Sequence, residues 1–205
     1  VLHITSWYPN KFEPYEALFI KEHFDSLKPY TNGFLIHLEI RNGKRLFKFH
    51  FYKISDVEKA FILETKLKIW KVIELLNFIF VLYILWKYKY KRYDVLNFHI
   101  AYPQLSYLHW IKKIIRKKMV ITEHWSAYNL NFNLPENAKG LKSIKRIFCN
   151  SIPIITVSKS LDSDIRKFAG YPEYQSFIVP NVVDNHIFHY KVYKKEPYTF
   201  FMVNN

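Results

Sequence analysis

The sequence predicts an α/β fold, a Rossmann-like doubly wound and mainly parallel sheet. Two observations support this prediction. Short apolar, β-branched runs such as Met119 to Thr122 and Pro153 to Val157 alternate along the chain with helical patterns. Strands that are apolar on both faces belong to parallel sheets with helices on either side. With 205 residues, half of them apolar, the chain is long enough to bury a substantial core.

The first quarter of the chain is expected to form two strands around one helix. Val1 to Trp7 is a predicted strand, and apolar residues at helical spacing predict a helix from Tyr15 to Tyr30. Phe34 to Ile40 is a second predicted strand. Asn42 and Gly43 form a hairpin signal between it and Arg45 to Ile54, which alternates like a half-exposed strand.

A long helix is predicted next, capped by Asp56 and beginning near Val57. Its later part, Phe78 to Trp86, consists of nine consecutive apolar or aromatic residues followed by a basic stretch. Lys71 and Glu74 leave this run short of the roughly 20 apolar residues that a membrane span needs. We therefore expect a buried helix, with an alternative in which the aromatic and basic end lies on an anionic bilayer.

The second half repeats the alternation of strands and helices. Pro103 is expected to open a helix, Ser158 to cap another, and Gly170 to end that one. Three further strands and one further helix are predicted from their apolar patterns: Asp94 to Ile100, Pro153 to Val157 and the start of Phe177 to Val183 as strands, and Leu141 to Phe148 as the helix.

Charge and motif content limit the classes of function. The net charge of +14 favours anionic partners such as phosphates, nucleic acid or an acidic membrane surface. The single Cys149 excludes a disulfide framework and a cysteine zinc site, and the usage fits a reducing compartment. No Walker A sequence, dinucleotide fingerprint, G-x-S-x-G elbow or H-E-x-x-H occurs, and four glycines can hardly build a phosphate loop. We expect no signal peptide.

Polar and aromatic residues follow successive predicted strands. In a parallel sheet all these strand ends lie on one edge, where ligands of open α/β sheets bind. His124 stands out because it directly follows the Met119 to Thr122 strand and Glu123. The alternative is that His124 and Trp125 only cap the core. The residues that this pattern places at the edge are Ser6, Trp7, Tyr8, His99, Tyr102, Glu123, His124, Ser126 and Ser158.

Five stretches resemble the N-terminal domain of the family 4 glycosyltransferases, which are retaining enzymes of the GT-B architecture. They occur in family order between Val1 and Phe188, and they are VLHITSWYP with FIKEHFDSL, DVLNFHIAYP, ITEHWSAY, IITVSKSL and IVPNVVDNHIF. Such enzymes are common in the synthesis of bacterial capsule, exopolysaccharide and lipopolysaccharide, and the resemblance implies a nucleotide-sugar donor and no further cofactor. The resemblance thus implies the N-terminal half of a GT-B fold.

The resemblance also implies roles for individual residues. His124 would face the reacting sugar, as the one catalytic residue of this half, and Glu16 and Ala17 would lie near the donor diphosphate. Asn181 and Asp184 would mark the hinge to the second domain. Trp7, Tyr8, His99, Tyr102, Glu123, Ser126 and Ser158 would line the cleft on the acceptor side, and no residue would bind a metal.

One position departs from the family. A glycine usually stands before the first helix so that backbone can approach the phosphates, and Ala17 occupies that place. The resemblance divides the chain into an acceptor-side domain, 1–190, and the linker and first strand of a donor-binding domain, 191–205. We therefore expect the 205-residue fragment by itself to transfer no sugar.

Partners and location follow from the same resemblance. We expect a nucleotide-sugar and a glycan or lipid-linked acceptor as partners, and a cytoplasmic location with peripheral contact to the anionic inner face of the plasma membrane through Lys87 to Arg92 and Lys112 to Lys118. Two alternatives remain open. One is a non-catalytic sugar-binding or partner module of GT-B type. The other is a basic nucleic-acid-binding domain, which the absence of any such motif disfavours.

Overall fold

A computed structural model of the chain describes residues 1–128 and 141–183. Its central element is an eight-stranded sheet in the order β3-β4-β2-β1-β5-β6-β7-β8. All neighbouring strands are parallel except β3 and β4. The strands are β1 Leu2–Thr5, β2 Phe34–Asn42, β3 Lys48–Ser55, β4 Glu58–Thr65, β5 Val95–His99, β6 Lys118–Glu123, β7 Ile154–Thr156 and β8 Ser176–Ile178. The predicted Rossmann-like, mainly parallel α/β fold is thereby confirmed.

Within the described part of the chain, five α-helices connect or cover these strands. They are α1 Leu18–Leu27, α2 Trp70–Lys87, α3 Leu108–Ile114, α4 Leu141–Phe148 and α5 Lys159–Ala169, with short 3-10 helices at Tyr90–Arg92 and Ser126–Tyr128. Ser158 caps α5 through a hydrogen bond from the Leu161 N–H to its Oγ (3.1 Å), and Gly170 ends it with φ 82°. Both of these predicted helix ends are confirmed.

Two predictions near β4 are wrong. The segment after Asp56 is strand β4 and not a helix, so Ser55 to Glu58 form the turn of a β3-β4 hairpin. The Asn42-Gly43 signal joins no hairpin, because β2 pairs with β4 in parallel and has no ladder with β3. The helix expected from Val57 begins only at Trp70.

Two helices also begin later than their patterns indicate. The first helix starts at Leu18, three residues after Tyr15, because Ala17 adopts a left-handed conformation that no helix can include. The helix expected from Pro103 starts at Leu108, and turns occupy the residues between them.

The two faces of the central strands differ in polarity. Leu2, Ile4, Leu96 and Phe98 contribute to the larger apolar core, together with buried side chains of α2 to α5. The opposite face of β1, β5 and β6 carries buried polar residues, so the expectation of strands that are apolar on both faces is wrong here. These residues are His3, Thr5, Asn97, His99 and Thr122. Helix α1 covers part of this polar face, since the rings of Phe24 and His3 meet edge to face at 5.2 Å.

The apolar run in α2 is buried on one side only. Val81, Ile84 and Leu85 are buried in the larger core, whereas Ile79 and Trp86 are exposed. The prediction of a buried helix therefore holds for half of its circumference. Within residues 1–128 and 141–183, no helix combines the length and the apolarity needed to cross a membrane.

Candidate active site at the strand ends

The carboxyl ends of the seven parallel strands meet at one edge of the sheet, as the sequence predicted. We call this edge the rim. Trp7 follows β1, His99 ends β5, His124 follows β6 and Ser158 follows β7. Strand register aligns these ends closely, because Thr5 lies opposite His99 and His99 opposite Thr122. The rim is where a doubly wound sheet binds its ligands.

The imidazole of His124 is half-buried at the rim between three rings. It lies 4.9 Å from the Phe19 ring, meets His23 edge to face at 5.1 Å and stacks on His99 at 5.9 Å with an angle of 14° between the planes. Burial and the nearby His23 lower its pKa to about 4, against the opposing effect of the Asn181 side chain. At neutral pH the ring is therefore uncharged.

Both ring nitrogens of His124 are buried and lack a hydrogen bond of ordinary geometry among the described residues. A buried polar atom without a partner costs free energy, so such atoms in a native protein call for an explanation. A neutral imidazole offers one donor and one acceptor. His124 thus retains hydrogen-bonding capacity at the predicted position of the reacting sugar.

The neighbouring Glu123 holds this part of the rim together. One of its carboxylate oxygens accepts from the backbone N–H groups of His124 (3.0 Å) and Trp125 (2.9 Å). The other accepts from the Ala101 N–H (3.0 Å) and from the Tyr128 hydroxyl (2.9 Å). Glu123 is fully buried, so the expectation that it lines an open cleft is wrong. It is a positioning residue, which fixes the backbone that carries His124.

His99 is also buried beneath the rim. The expectation that it lines the cleft is therefore wrong. Its Nε2 lies 3.0 Å from Nδ1 of His3, and the Asn97 amide lies 3.3 Å from both of these nitrogens. Burial lowers the pKa of His99 well below its usual value and that of His3 to about 3. Together with His23 and His124, these two residues form the histidine cluster. All four have lowered pKa values, chiefly because of burial.

The loop after β1 divides into a buried and an exposed part. Tyr8 is fully buried, so it belongs to the core, and the expectation that it lines the cleft is wrong. Burial and the nearby Glu58 raise the pKa of its hydroxyl. Trp7 is half-exposed and packs edge to face on Trp125 at 6.1 Å. Ser126, in the 3-10 helix after β6, is exposed at the same rim.

The end of this loop contains the two predicted donor-binding residues. Burial and the repulsion of Glu13 and Glu39 raise the pKa of Glu16 to about 7. Ala17 has φ 48° and ψ 45°, a left-handed conformation that glycine adopts without strain. The glycine that the family usually has at this place is therefore explained by backbone geometry. Among residues 1–128 and 141–183, no side-chain hydrogen bond caps the first turn of α1 after Ala17.

A cavity of about 680 Å³ opens at the rim beside β2 and β4, and we call it the rim cavity. The sequence pointed to only one of its residues, Tyr102, whose pKa rises to about 12 through burial and the nearby Glu74. Most of the other residues escaped notice because β2 was predicted to end at Ile40 and β4 was taken for a helix. These other residues include Glu13, Glu39, Arg41, Asn42, Thr65, Lys68 and Trp70. Arg41 joins two of them, with its guanidinium 3.1 Å from Glu13 and 3.7 Å from Glu39.

The remaining predicted residues have other environments. The Oγ of Ser158 is engaged in capping α5. Asn181 lies in the exposed segment after β8, and its side chain influences the pKa of both His23 and His124. Asp184 and the whole of 191–205, the expected linker and first strand of a second domain, lie outside the described residues. Among the residues described, no group of three or more His, Cys, Asp or Glu side chains is arranged to hold a metal ion.

Two solved structures share the fold of this chain at low sequence identity. Sucrose-phosphate synthase from Thermosynechococcus elongatus superposes with a TM-score of 0.59 at 12% identity, over 87% of this chain and 47% of that one. An E. coli structure described as trehalose-6-phosphate bound with UDP-2-fluoro glucose superposes with a TM-score of 0.51 at 12% identity, over 91% and 50%. The chain spans about half the length of these structures, and it shares their fold.

Sequence comparison assigns the family. No curated protein matches the chain. A family profile, described as Glycosyltransferase Family 4, matches residues 57–186, which is more than half of the chain. The match includes the segments that contain His99, Tyr102, Glu123, His124 and Ser158. This chain therefore belongs to glycosyltransferase family 4.

Proposed function

We propose that the chain is the acceptor-side domain of a retaining glycosyltransferase. The complete enzyme transfers a sugar from a nucleotide-sugar to a growing polysaccharide, such as capsule or lipopolysaccharide, or to a lipid-linked glycan. The observation that carries the proposal is His124, an uncharged imidazole at the rim whose buried nitrogens make no hydrogen bond of ordinary geometry among the described residues, with the Asn181 side chain nearby. Family membership supports the reaction class.

In this proposal the leaving diphosphate binds at the start of α1. Cleavage of the bond between the sugar carbon and the phosphate oxygen leaves negative charge on the diphosphate, and retention requires that the acceptor oxygen bonds to the face from which the diphosphate departs. The first turn of α1 has no side-chain cap and no acidic residue, so its N–H groups are suited to that charge. Phe19, in the same turn, contacts His124, which places the helix start beside the imidazole.

His124 acts as a neutral hydrogen-bonding group in this mechanism. Its lowered pKa excludes a cationic role at neutral pH, and a neutral imidazole can accept from one sugar hydroxyl while donating to another. Asn181, at the proposed hinge, lies beside the ring. A movement of the hinge that shifts Asn181 would make the His124 nitrogens available to the substrate.

The rim cavity is suited to the acceptor. Glu13, Glu39 and Arg41 present charged groups that bind sugar hydroxyls, and the indole of Trp70 offers an apolar face for a sugar ring. Tyr102, a predicted cleft residue, forms part of the same wall. A polar pocket of this kind at the strand ends fits an acceptor saccharide, with no cofactor beyond the donor substrate.

The proposed location is the cytoplasm, with peripheral contact to the inner face of an anionic membrane. The two basic runs expected to make this contact lie at the opposite edge of the sheet from the rim. Lys118 begins β6 and lies opposite Val95, the first residue of β5, which follows the basic 3-10 helix Tyr90–Arg92. A bilayer held by these runs would lie far from the rim cavity, so a lipid-linked acceptor needs another path to it.

Transfer of labelled sugar tests the proposal. The full-length gene product that carries this chain is incubated with labelled UDP- and GDP-hexoses and a bacterial lipid extract. We expect transfer, and we expect His124→Ala to lower kcat/KM about a hundredfold, as loss of one hydrogen bond in a transition state does. His109→Ala, on the exposed side of α3, is the matched control and keeps full activity.

Two outcomes would contradict the proposal. Turnover by the 205-residue chain alone would show that the active site is elsewhere. A full-length protein that binds saccharide but transfers none, with and without His124, would instead be the non-catalytic module.

A further inference from the structure

The outer face of the β3-β4 hairpin is unusually apolar for a protein surface. Phe49 and Phe51 on the edge strand β3 are 66% and 54% exposed, and Phe47 just before it is exposed as well. These rings and the side chains of Leu76, Ile79 and Tyr83 form the walls of a cavity of about 700 Å³, which we call the α2 groove. A cavity of this size is in the range that binds small ligands.

The groove exists because the part of α2 from Phe78 to Trp86 is apolar around its whole circumference. One side packs into the core through Val81 and Ile84. The other presents Ile79 and Tyr83 to the uncovered face of the hairpin. A helix that is apolar all round is normally buried on every side, so its outer side is a binding surface without its partner.

The α2 groove and the rim cavity follow one another along the same elements. Trp70 and Ile73 on α2 line the rim cavity, and Leu76, Ile79 and Tyr83 continue that stripe at helical spacing along the groove. On β4, Leu63 lines the groove and Thr65 lines the rim cavity. Glu39 borders both. The two cavities are therefore adjacent, and they differ sharply in chemistry.

This change from polar to apolar matches one kind of molecule. The rim cavity offers carboxylates and a guanidinium, whereas the groove offers aromatic and aliphatic walls. An amphiphile with a sugar head and a hydrocarbon chain meets both environments, and each buried methylene of its chain adds affinity. We propose that the α2 groove binds the hydrocarbon chain of a lipid-linked acceptor whose saccharide head occupies the rim cavity. This inference rests on the proposed transfer function.

Two other occupants fit the groove less well. A flat bilayer surface is matched by a protruding apolar patch, whereas the groove is concave, with rings of β3 on one side and α2 on the other. A second copy pairing along the edge strand would bring together Lys48 and Lys53 of β3, charges that discourage strand pairing. Lys87, at the end of α2, places its ammonium 4.2 Å from the Phe51 ring and so leaves a cation beside the groove.

Binding of alkyl maltosides to the 205-residue chain tests the inference. Titration calorimetry compares maltose, octyl maltoside and dodecyl maltoside, each below the concentration at which micelles form. Because a buried methylene contributes about fourfold in affinity and the two chains differ by four methylenes, we expect dodecyl maltoside to bind about 250-fold more tightly than octyl maltoside. Maltose, which lacks a chain, should bind most weakly.

Variants of the groove test where the hydrocarbon chain of the maltoside binds. Phe49→Ser/Phe51→Ser should abolish the dependence on chain length, and because both rings are largely exposed the fold should survive, as circular dichroism would show. Phe177→Ser, an exposed phenylalanine on the opposite edge strand β8, is the matched control and should keep the dependence.

The outcomes separate this inference from the proposed function. Equal affinity for octyl and dodecyl maltoside would overturn the groove as a chain site while leaving sugar transfer untouched. If the two maltosides bind equally and the chain also binds phosphatidylglycerol vesicles, and if Phe49→Ser/Phe51→Ser abolishes the vesicle binding, the surface contacts a bilayer. If the chain instead forms a dimer that this variant disrupts, the surface contacts a second copy. Either outcome would overturn the inference. Chain-length dependence in a full-length protein without transfer would support the groove and contradict the function.

Discussion

The inner strands and the outer hairpin depart from ordinary proteins in opposite ways. On β1, β5 and β6, polar side chains such as His3 and Asn97 are buried. On β3 and the outer side of α2, apolar side chains such as Phe49 and Ile79 are exposed. Burial of a polar group costs stability, and an apolar group left exposed contributes none, so each is informative where it occurs. In our proposal the two regions bind different parts of one substrate, a sugar at the rim and a hydrocarbon chain along α2.

The largest predicted effect is that acid destabilises the protein through the buried histidines of the inner region. The pKa values of His3 and His124 are lowered to about 3 and about 4, below the value of about 6.5 for an unfolded chain. The unfolded state therefore binds more protons below pH 6.5, and stability falls as the pH drops through that value towards the folded pKa values. Between pH 7.5 and pH 5 these two residues together should cost about 4 kcal/mol, measured by urea unfolding at both pH values.

Substitution isolates the contribution of the cluster. His3→Gln/His124→Gln should reduce the loss between the two pH values by about the same 4 kcal/mol. His109→Gln on α3 is the control and should leave the loss unchanged, since His109 is exposed. An unaltered pH dependence in the double variant would mean that these histidines are as well solvated in the folded protein as in the unfolded chain.

Replacement of a single carboxylate should destabilise the inner region more than the outer hairpin, by a smaller amount than the acid effect. Glu123 accepts four hydrogen bonds in a fully buried site, and a glutamine there would turn an NH₂ group towards donors. We expect Glu123→Gln to lower the free energy of unfolding by about 3 kcal/mol. Glu64→Gln on β4 is the matched change in the outer hairpin, where the pairing with Lys48 at 3.8 Å is partly exposed, and should cost less than about 1 kcal/mol.

Urea unfolding of both glutamine variants measures this difference. Equal costs at the two positions would contradict the role assigned to Glu123. Transfer activity is a second measurement. Glu123→Gln should also lower the activity of the full-length protein, because it displaces the backbone that carries the His124 imidazole.

The sequence predicted the inner region better than the outer one, for physical reasons. Around β5, β6 and β7, short apolar runs are followed by turn and cap signals that agree with one another, so the common edge of the strand ends and the cap at Ser158 could be predicted. Burial of the polar face could not. The alternation in LHIT and LNFH is the same whether the polar side chains face water or a covering helix.

The outer hairpin was mispredicted because its local signals conflict. Asp56 is a suitable cap residue, and Glu64 and Lys68 share helical spacing with Lys71, but the segment Glu58–Thr65 pairs with both β2 and β3. Two ladders of backbone hydrogen bonds outweigh a weak helical preference. The rim cavity and the α2 groove were hidden by the same error, since both include β4.

The smallest predicted effect concerns Ala17, where the inner region meets α1. A left-handed conformation costs an alanine about 1 to 2 kcal/mol, and a glycine loses part of this advantage because its unfolded chain is more flexible. Ala17→Gly should therefore raise the free energy of unfolding by about 0.5 to 1 kcal/mol. Ala169→Gly, at the last residue of α5, is the matched control and should lower it, by less than the roughly 1 kcal/mol that glycine costs in a helix interior. Urea unfolding distinguishes the two signs, and a loss of stability in both variants would show that the backbone at residue 17 is not strained. A gain at residue 17 alone would mean that the chain keeps a side chain there at a cost, at the point where the backbone is proposed to approach the donor diphosphate.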